Sequence, residues 1–294
     1  VSGAATSPGA PTAALTADEL RELRRLHVQF GRRVDSVFLG DYRSAVRGRG
    51  MEFEEVRAYV PGDDIRHLDW NVTARSGEPF IKVFREERQN TLILVVDVSG
   101  STRVGGGHAE RRLQLARIAG GLAYAGIRNR DRVGLLTFSD RVETWLSPRP
   151  TRGHAWAVIA SVYEAKRQHR GTDLAAALAF LARVQRRRAT VVIVSDFLDT
   201  GDWGRVLAPL ARRHELHAFL VHDPLDEALP DLGLLELVDA ETGEPFVVDG
   251  AWGGLSVAAR EQALTRAGAR TAAIDTREDP WNALHRHFQR LARR

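Results

Sequence analysis

Apolar positions along the chain follow two rhythms. Short, mainly apolar runs without charged residues at Thr91–Val96, Val133–Phe138 and Ala189–Val194, joined by a further strand at 215–221, alternate with stretches where apolar residues return every three or four positions. Runs without interleaved polar residues suit strands covered on both faces, as in a parallel sheet. Helices are expected between them over 109–127, 153–166, 174–186 and 203–213. The first of these carries Leu113, Leu115, Ile118 and Leu122, with small residues at 116, 119–121 and 123 that permit close packing on a sheet. Arg141–Leu146 predicts a short strand, antiparallel at the edge. The alternation over 91–222 therefore predicts an α/β fold, a doubly wound and mostly parallel sheet.

The flanks read differently. Residues 1–15 are Ala, Gly, Ser, Pro and Thr without periodicity, the composition of a disordered tail. Thr16-Ala-Asp-Glu19 is a capping box, and the helix it opens carries Leu20, Leu23, Leu26 and Phe30. Residues 37–60 read as a mostly irregular segment anchored by Phe53, Val56 and Tyr59, ending at the Pro61-Gly62 turn. Asp63 or Asp64 is then placed to cap a short helix over Ile65, Leu68 and Trp70, and Pro79–Arg88 looks extended. Together 16–90 form an irregular, charged N-terminal subdomain. After 222, Leu232–Val238 and Glu244–Val248 predict a hairpin, followed by a helix at 255–268 and a strand at Thr271–Ile274. A last helix starts near Asp279-Pro280, with Pro in the permitted first turn. This stretch, 223–294, is expected to extend the same sheet.

Charged residues are numerous over 49–88. Arg49, Glu52, Glu54, Arg57, Asp63, Asp64, Arg66 and Asp69, with Trp70, make a candidate partner-docking surface. The plainer reading is a solvated face with local ion pairs, each contributing about 0–1 kcal/mol. For Asp63, Asp64 and Asp69, helix capping and Arg pairing explain the carboxylates more simply than a second metal site.

The chemistry gathers where strands end. Thr91–Val96 stops at Asp97, with Ser99 and Ser101 at alternate positions; Thr172 stands where a crossover helix begins; Ala189–Val194 runs into Ser195-Asp196. In one parallel sheet these loops share the carboxyl edge, where open α/β sheets bind ligands. Asp97, Ser99, Ser101, Thr172 and Asp196 form a hard-oxygen set suited to Mg²⁺ or Mn²⁺, short enough in carboxylates to leave a position for an outside acid. Each residue alone reads more simply as a cap or turn residue; the arrangement on three crossovers favours the metal.

At these residues the chain resembles a von Willebrand factor A-type domain, whose metal-ion-dependent adhesion site has the pattern Asp-x-Ser-x-Ser, then a distant Thr and a distant Asp. The stretch from Arg49 through Pro61-Gly-Asp-Asp-Ile-Arg-His-Leu-Asp-Trp70 to Arg75 is similar to the signature of the bacterial domain-of-unknown-function-58 family, which joins such a segment to an A-type domain. Gly100 and Thr102 depart from the commonest family residues, Ala and Met, without removing a ligand. The resemblance implies a non-catalytic, metal-dependent protein-binding adaptor working with a MoxR-type AAA+ ATPase on client proteins. Many relatives carry upstream membrane helices, a feature not carried over to this chain.

Composition narrows the rivals. The 294 residues include no cysteine, so thiolate metal sites, thiol nucleophiles and disulfides are excluded. No apolar stretch approaches the length of a spanning helix and no basic start leads into an apolar run, which predicts a cytoplasmic protein without an integral membrane segment. Of 42 basic residues only Lys82 and Lys166 are lysine, yet the arginines are interspersed with acids and net charge is +4, so nucleic-acid binding is not expected. A hydrolase or phosphatase is the enzymatic alternative. Neither Ser99 nor Ser101 lies in a Gly-x-Ser-x-Gly elbow, and Gly105-Gly106-Gly107 lacks the Lys of a phosphate loop.

Overall fold

The computed structural model describes residues 36–46, 51–86, 90–100, 110–163, 171–199, 201–229, 233–238, 244–249 and 256–293, and positions 25, 29, 30, 33 and 34. The expected tail at 1–15, nearly all of the capping-box helix, Arg49 and Ser101 lie outside these residues.

Among the described residues three sheets, one mostly parallel and two antiparallel, organise the chain. The main one has six strands: β3 (Thr91–Asp97), β4 (Arg132–Phe138), β5 (Val142–Arg149), β6 (Thr190–Ser195), β7 (Glu215–His222) and β10 (Arg270–Asp275), in the order β10-β7-β6-β3-β4-β5. All neighbours are parallel except β5, which runs antiparallel to β4 at one edge. The expected doubly wound, mostly parallel sheet is thus present, and Arg270–Asp275 extends it. Among the described residues β8 (Leu234–Val238) and β9 (Pro245–Asp249) instead pair only with each other, so the hairpin does not extend the main sheet as its position in 223–294 suggested. Its Leu234, Val238 and Val247 are exposed, a pattern that gives a large sheet no apolar face to cover.

Side-chain alternation along the central strands feeds two cores. Leu92, Leu94 and Val96 of β3, with Val192 and Val194 of β6, face helices α1 (Ser36–Val46), α3 (Glu110–Arg128), α4 (Arg152–Tyr163) and α8 (Pro280–Ala292). Ile93 and Val95, with Val191 and Ile193, face α5 (Leu174–Val184), α6 (Trp203–Arg213) and α7 (Val257–Arg266). Both faces are dry, which is why these strands read as unbroken apolar runs. Gly121 lets α3 close on α8: a Cβ there would sit 2.6 Å from the Trp281 ring.

The segment expected to be irregular, 37–60, is regular. It contains α1 and strand β1 (Met51–Ala58), which pairs antiparallel with β2 (Phe80–Glu86) in a third, two-stranded sheet. Phe38, Tyr42, Ala45 and Val46 recur at helical spacing and are buried, so tertiary packing overrides the internal Gly40. The single short helix expected at 65–70 is two pieces. Asp64 caps a 3₁₀ turn at Ile65–His67, and Asp69 caps α2 (Trp70–Ser76) by accepting from the Asn71 and Val72 N–H groups at 3.0 and 3.3 Å.

Candidate metal centre

The strand order reverses at β3: the chain moves from β3 to β4 on one side and returns as β6 on the other. That reversal opens a crevice at the carboxyl ends of β3 and β6, where Asp97 and Asp196 stand. Both are buried, as is Ser99. Asp97 Oδ1 accepts from the Ser99 N–H at 2.9 Å and Oδ2 from the Ser195 hydroxyl at 2.7 Å. The Ser99 hydroxyl also hydrogen-bonds the Asp97 carboxylate. Burial, and after it the charge of Asp196, push the Asp97 carboxyl up to about 7.

Backbone bonds draw the other loops to the same edge. Val98 N–H donates to Phe138 O at 2.8 Å and Asp173 N–H to Ser139 O at 2.8 Å, tying the ends of β3 and β4 to the start of α5. Leu174 N–H donates to Asp199 Oδ2 at 2.9 Å, joining the Thr172–Asp173 turn to the loop after β6. Thr172 is half-buried within that turn, and Asp173 caps α5 by accepting from Ala176 N–H at 2.7 Å. Phe197, directly after Asp196, has φ +53°, a left-handed conformation uncommon for an aromatic residue. Its N–H turns back to Ser195 Oγ at 3.0 Å, which holds the Asp196 loop in place.

Four of the five expected ligands therefore lie on loops that the fold brings to one edge; Ser101 falls outside the described residues. The donor set fits a divalent cation. All its atoms are hard oxygens, and two buried carboxylates in each other's field carry a like-charge penalty that a cation reverses. Among the described residues no group of three His, Asp or Glu side chains is arranged to hold a metal ion, so this set is poor in carboxylates.

Sequence reading missed the second layer. Arg111, in the first turn of α3, is buried; its Nη1 lies 3.4 Å from Asp196 Oδ2, while Nη2 donates to Asp226 Oδ1 and Oδ2 at 2.8 and 2.7 Å. Arg260 of α7 donates to the Asp196 backbone carbonyl at 2.6 Å. Arginines at the start of one helix and the middle of another carry no spacing signal; only the sheet order joins them.

Among the described candidate docking residues, the carboxylates are engaged locally. Arg57 forms a two-pronged pair with Asp63, 2.8 Å on each side, and Asp63 also accepts from Val60 N–H. The Arg57 guanidinium, with that N–H, holds the Asp63 carboxyl below its usual range. Asp69 is held low by its two cap bonds and by Lys82 Nζ at 3.5 Å. Capping and pairing thus account for Asp63, Asp64 and Asp69, as expected. Arg66, Ile65 and Trp70 remain exposed; the side chains of Glu52 and Glu54 are outside the described residues.

The family described as "Protein of unknown function DUF58" matches residues 55–271. The chain belongs to the DUF58 family. This DUF58 chain is 37% identical over 234 residues to the uncharacterized protein Rv1480 of Mycobacterium tuberculosis, spanning 78% of the chain and 74% of that relative. Among solved structures, BatB from Bacteroides thetaiotaomicron overlaps with a TM-score of 0.49 at 17% identity, covering 70% of the chain and all of BatB. The SpRpn10 VWA domain overlaps at 0.39 and 11% identity, covering 67% and 93%. Among the described residues no helix is long and apolar enough to cross a membrane.

Proposed function

We propose that this chain is a non-catalytic protein-binding adaptor whose recognition edge is completed by one Mg²⁺ or Mn²⁺ ion. The observation that carries this reading is the buried Asp97–Asp196 pair at the strand-order reversal. Asp97, Ser99 and Asp196, with Ser101 and Thr172, would hold the cation. The bound ion would supply an electrophilic point for an acidic side chain of the partner. The chain's own part is preorganisation: Ser195 and the Ser99 N–H fix the Asp97 carboxylate, and Phe197 fixes the loop that carries Asp196. No bond-breaking step is assigned to Ser99 or Ser101. By the family resemblance the partner is a MoxR-type AAA+ ATPase or its client, met at the carboxyl edge with the exposed Ile65–Trp70 surface as a second contact.

Calorimetry after chelator stripping tests the reading. Wild type should bind Mg²⁺ or Mn²⁺ saturably near one ion per chain, and Asp97→Ala should lose that binding. Absence of binding, or binding indifferent to Asp97, overturns it. A pull-down of a MoxR-type ATPase with and without the cation then tests the partner.

A further inference from the structure

The metal reading leaves a buried cation unexplained. Arg111 is almost wholly inaccessible, and its guanidinium spans two acids on loops from different strands: Asp196 after β6 and Asp226 after β7. The span is lopsided. The contacts to Asp226, at 2.7 and 2.8 Å, are short charge-assisted hydrogen bonds, whereas the 3.4 Å approach to Asp196 is long for one. Asp226 is itself immobilised. It closes the 3₁₀ turn Pro224–Asp226, where its Oδ2 accepts from Asp223 N–H at 2.9 Å, and Asp223 in turn accepts from the Thr276 hydroxyl at 3.0 Å. A fixed acid therefore holds the guanidinium just short of full engagement with Asp196.

We infer that Arg111 is a resident cation competing with the divalent ion for Asp196, and that Asp226 is the positioning residue that sets the outcome by holding the guanidinium back. This rests on the adaptor reading and adds to it a built-in control of metal affinity. Asp196 stays neutralised when the site holds no ion and remains available when an ion arrives. The geometry makes opposite predictions for the two partners. Removing the charge in Arg111→Met takes away the competitor and strengthens Mg²⁺ binding; Asp226→Asn weakens the restraint, lets the guanidinium settle on Asp196, and weakens Mg²⁺ binding.

The test is Mg²⁺ calorimetry on stripped wild type, Asp226→Asn, Arg111→Met and the double variant, with far-UV circular dichroism to verify folding. A hydrogen bond to a charged group corresponds to a change of about tenfold or more in affinity. Asp226→Asn should lose about that factor, Arg111→Met should gain it, and Asp226→Asn should have little further effect once Arg111 is gone. Asp226→Asn keeps a similar volume and decides the matter even if Arg111→Met does not fold. Unchanged or tighter binding in Asp226→Asn overturns the inference. So does an equal loss with and without Arg111, which would be a plain field effect of the carboxylate. Wild type that binds no Mg²⁺ defeats the adaptor reading instead, so the two failures are distinct.

Discussion

His214 closes the carboxyl end of α6 and is 3% exposed, with neither ring nitrogen hydrogen-bonded among the described residues. Burial first, then the charges of Arg213 and Arg188, lower its pKa from 6.5 to about 4. The folded chain therefore holds this imidazole neutral where the unfolded chain protonates it. Between pH 6.5 and 4 the unfolded state binds more protons, so stability rises with pH; it is fully present above about 6.5 and lost as pH falls toward 4. With those two values, going from pH 7 to pH 5 removes up to about 2 kcal/mol. His214→Leu discards the titrating group and two unpartnered nitrogens, so at pH 7 it should match or exceed wild type. Urea unfolding at pH 7 and pH 5, followed by tryptophan fluorescence, gives the comparison. Asp131, raised to about 6 chiefly by burial, gains stability on acidification over its own range, and His287, lowered to about 3, loses it. Both are common to the two proteins and cancel in the difference. If the gap between variant and wild type is the same at both pH values, the reasoning fails.

Three further outcomes follow from packing and hydrogen bonding. Gly121→Ala drives a methyl into Trp281 and should destabilise by about 1–3 kcal/mol despite better helix propensity, read as a lower urea midpoint at unchanged slope. Tyr42→Phe removes the buried hydroxyl that donates to Asp131 Oδ2 at 3.0 Å, and should cost about 1–3 kcal/mol by the same measurement. Asp69→Ala removes the α2 cap and should cost about 1 kcal/mol, with faster amide exchange confined to 70–76; exchange spread through the main sheet would contradict a local role.

Sheet architecture was legible where burial is two-sided, because Thr91–Val96, Val133–Phe138 and Ala189–Val194 carry no charged residue and only threonine among polar ones. The polar groups at their ends then stood out, and Asp97 and Asp196 stand at the carboxyl ends of β3 and β6, where the strand order reverses. Less visible were features whose partners are remote. The α1 stripe of Phe38, Tyr42 and Val46 was present in the sequence but hidden by Gly40 within it. The guanidinium of Arg111 meets Asp226 across a separation of 115 positions, and the buried His217–His287 pair, 2.9 Å apart, across 70. Such pairs depend on the order of strands, which periodicity does not encode.

The contact between α1 and α8 has a consequence for the order of assembly. Phe38 and Tyr42 pack edge-on against Phe288, and Arg33 pairs with Asp279 across 246 positions. During synthesis the early helix emerges long before its cover, and the first core receives its last wall only when 280–292 are made. Until then Phe38 and Tyr42 lack the Phe288 ring that covers them, leaving apolar surface on a nascent chain, the kind of surface that chaperones bind and that aggregates form around. Closure of the first core thus brings together segments of high sequence separation, the kind of contact whose loop-closure entropy slows folding in general.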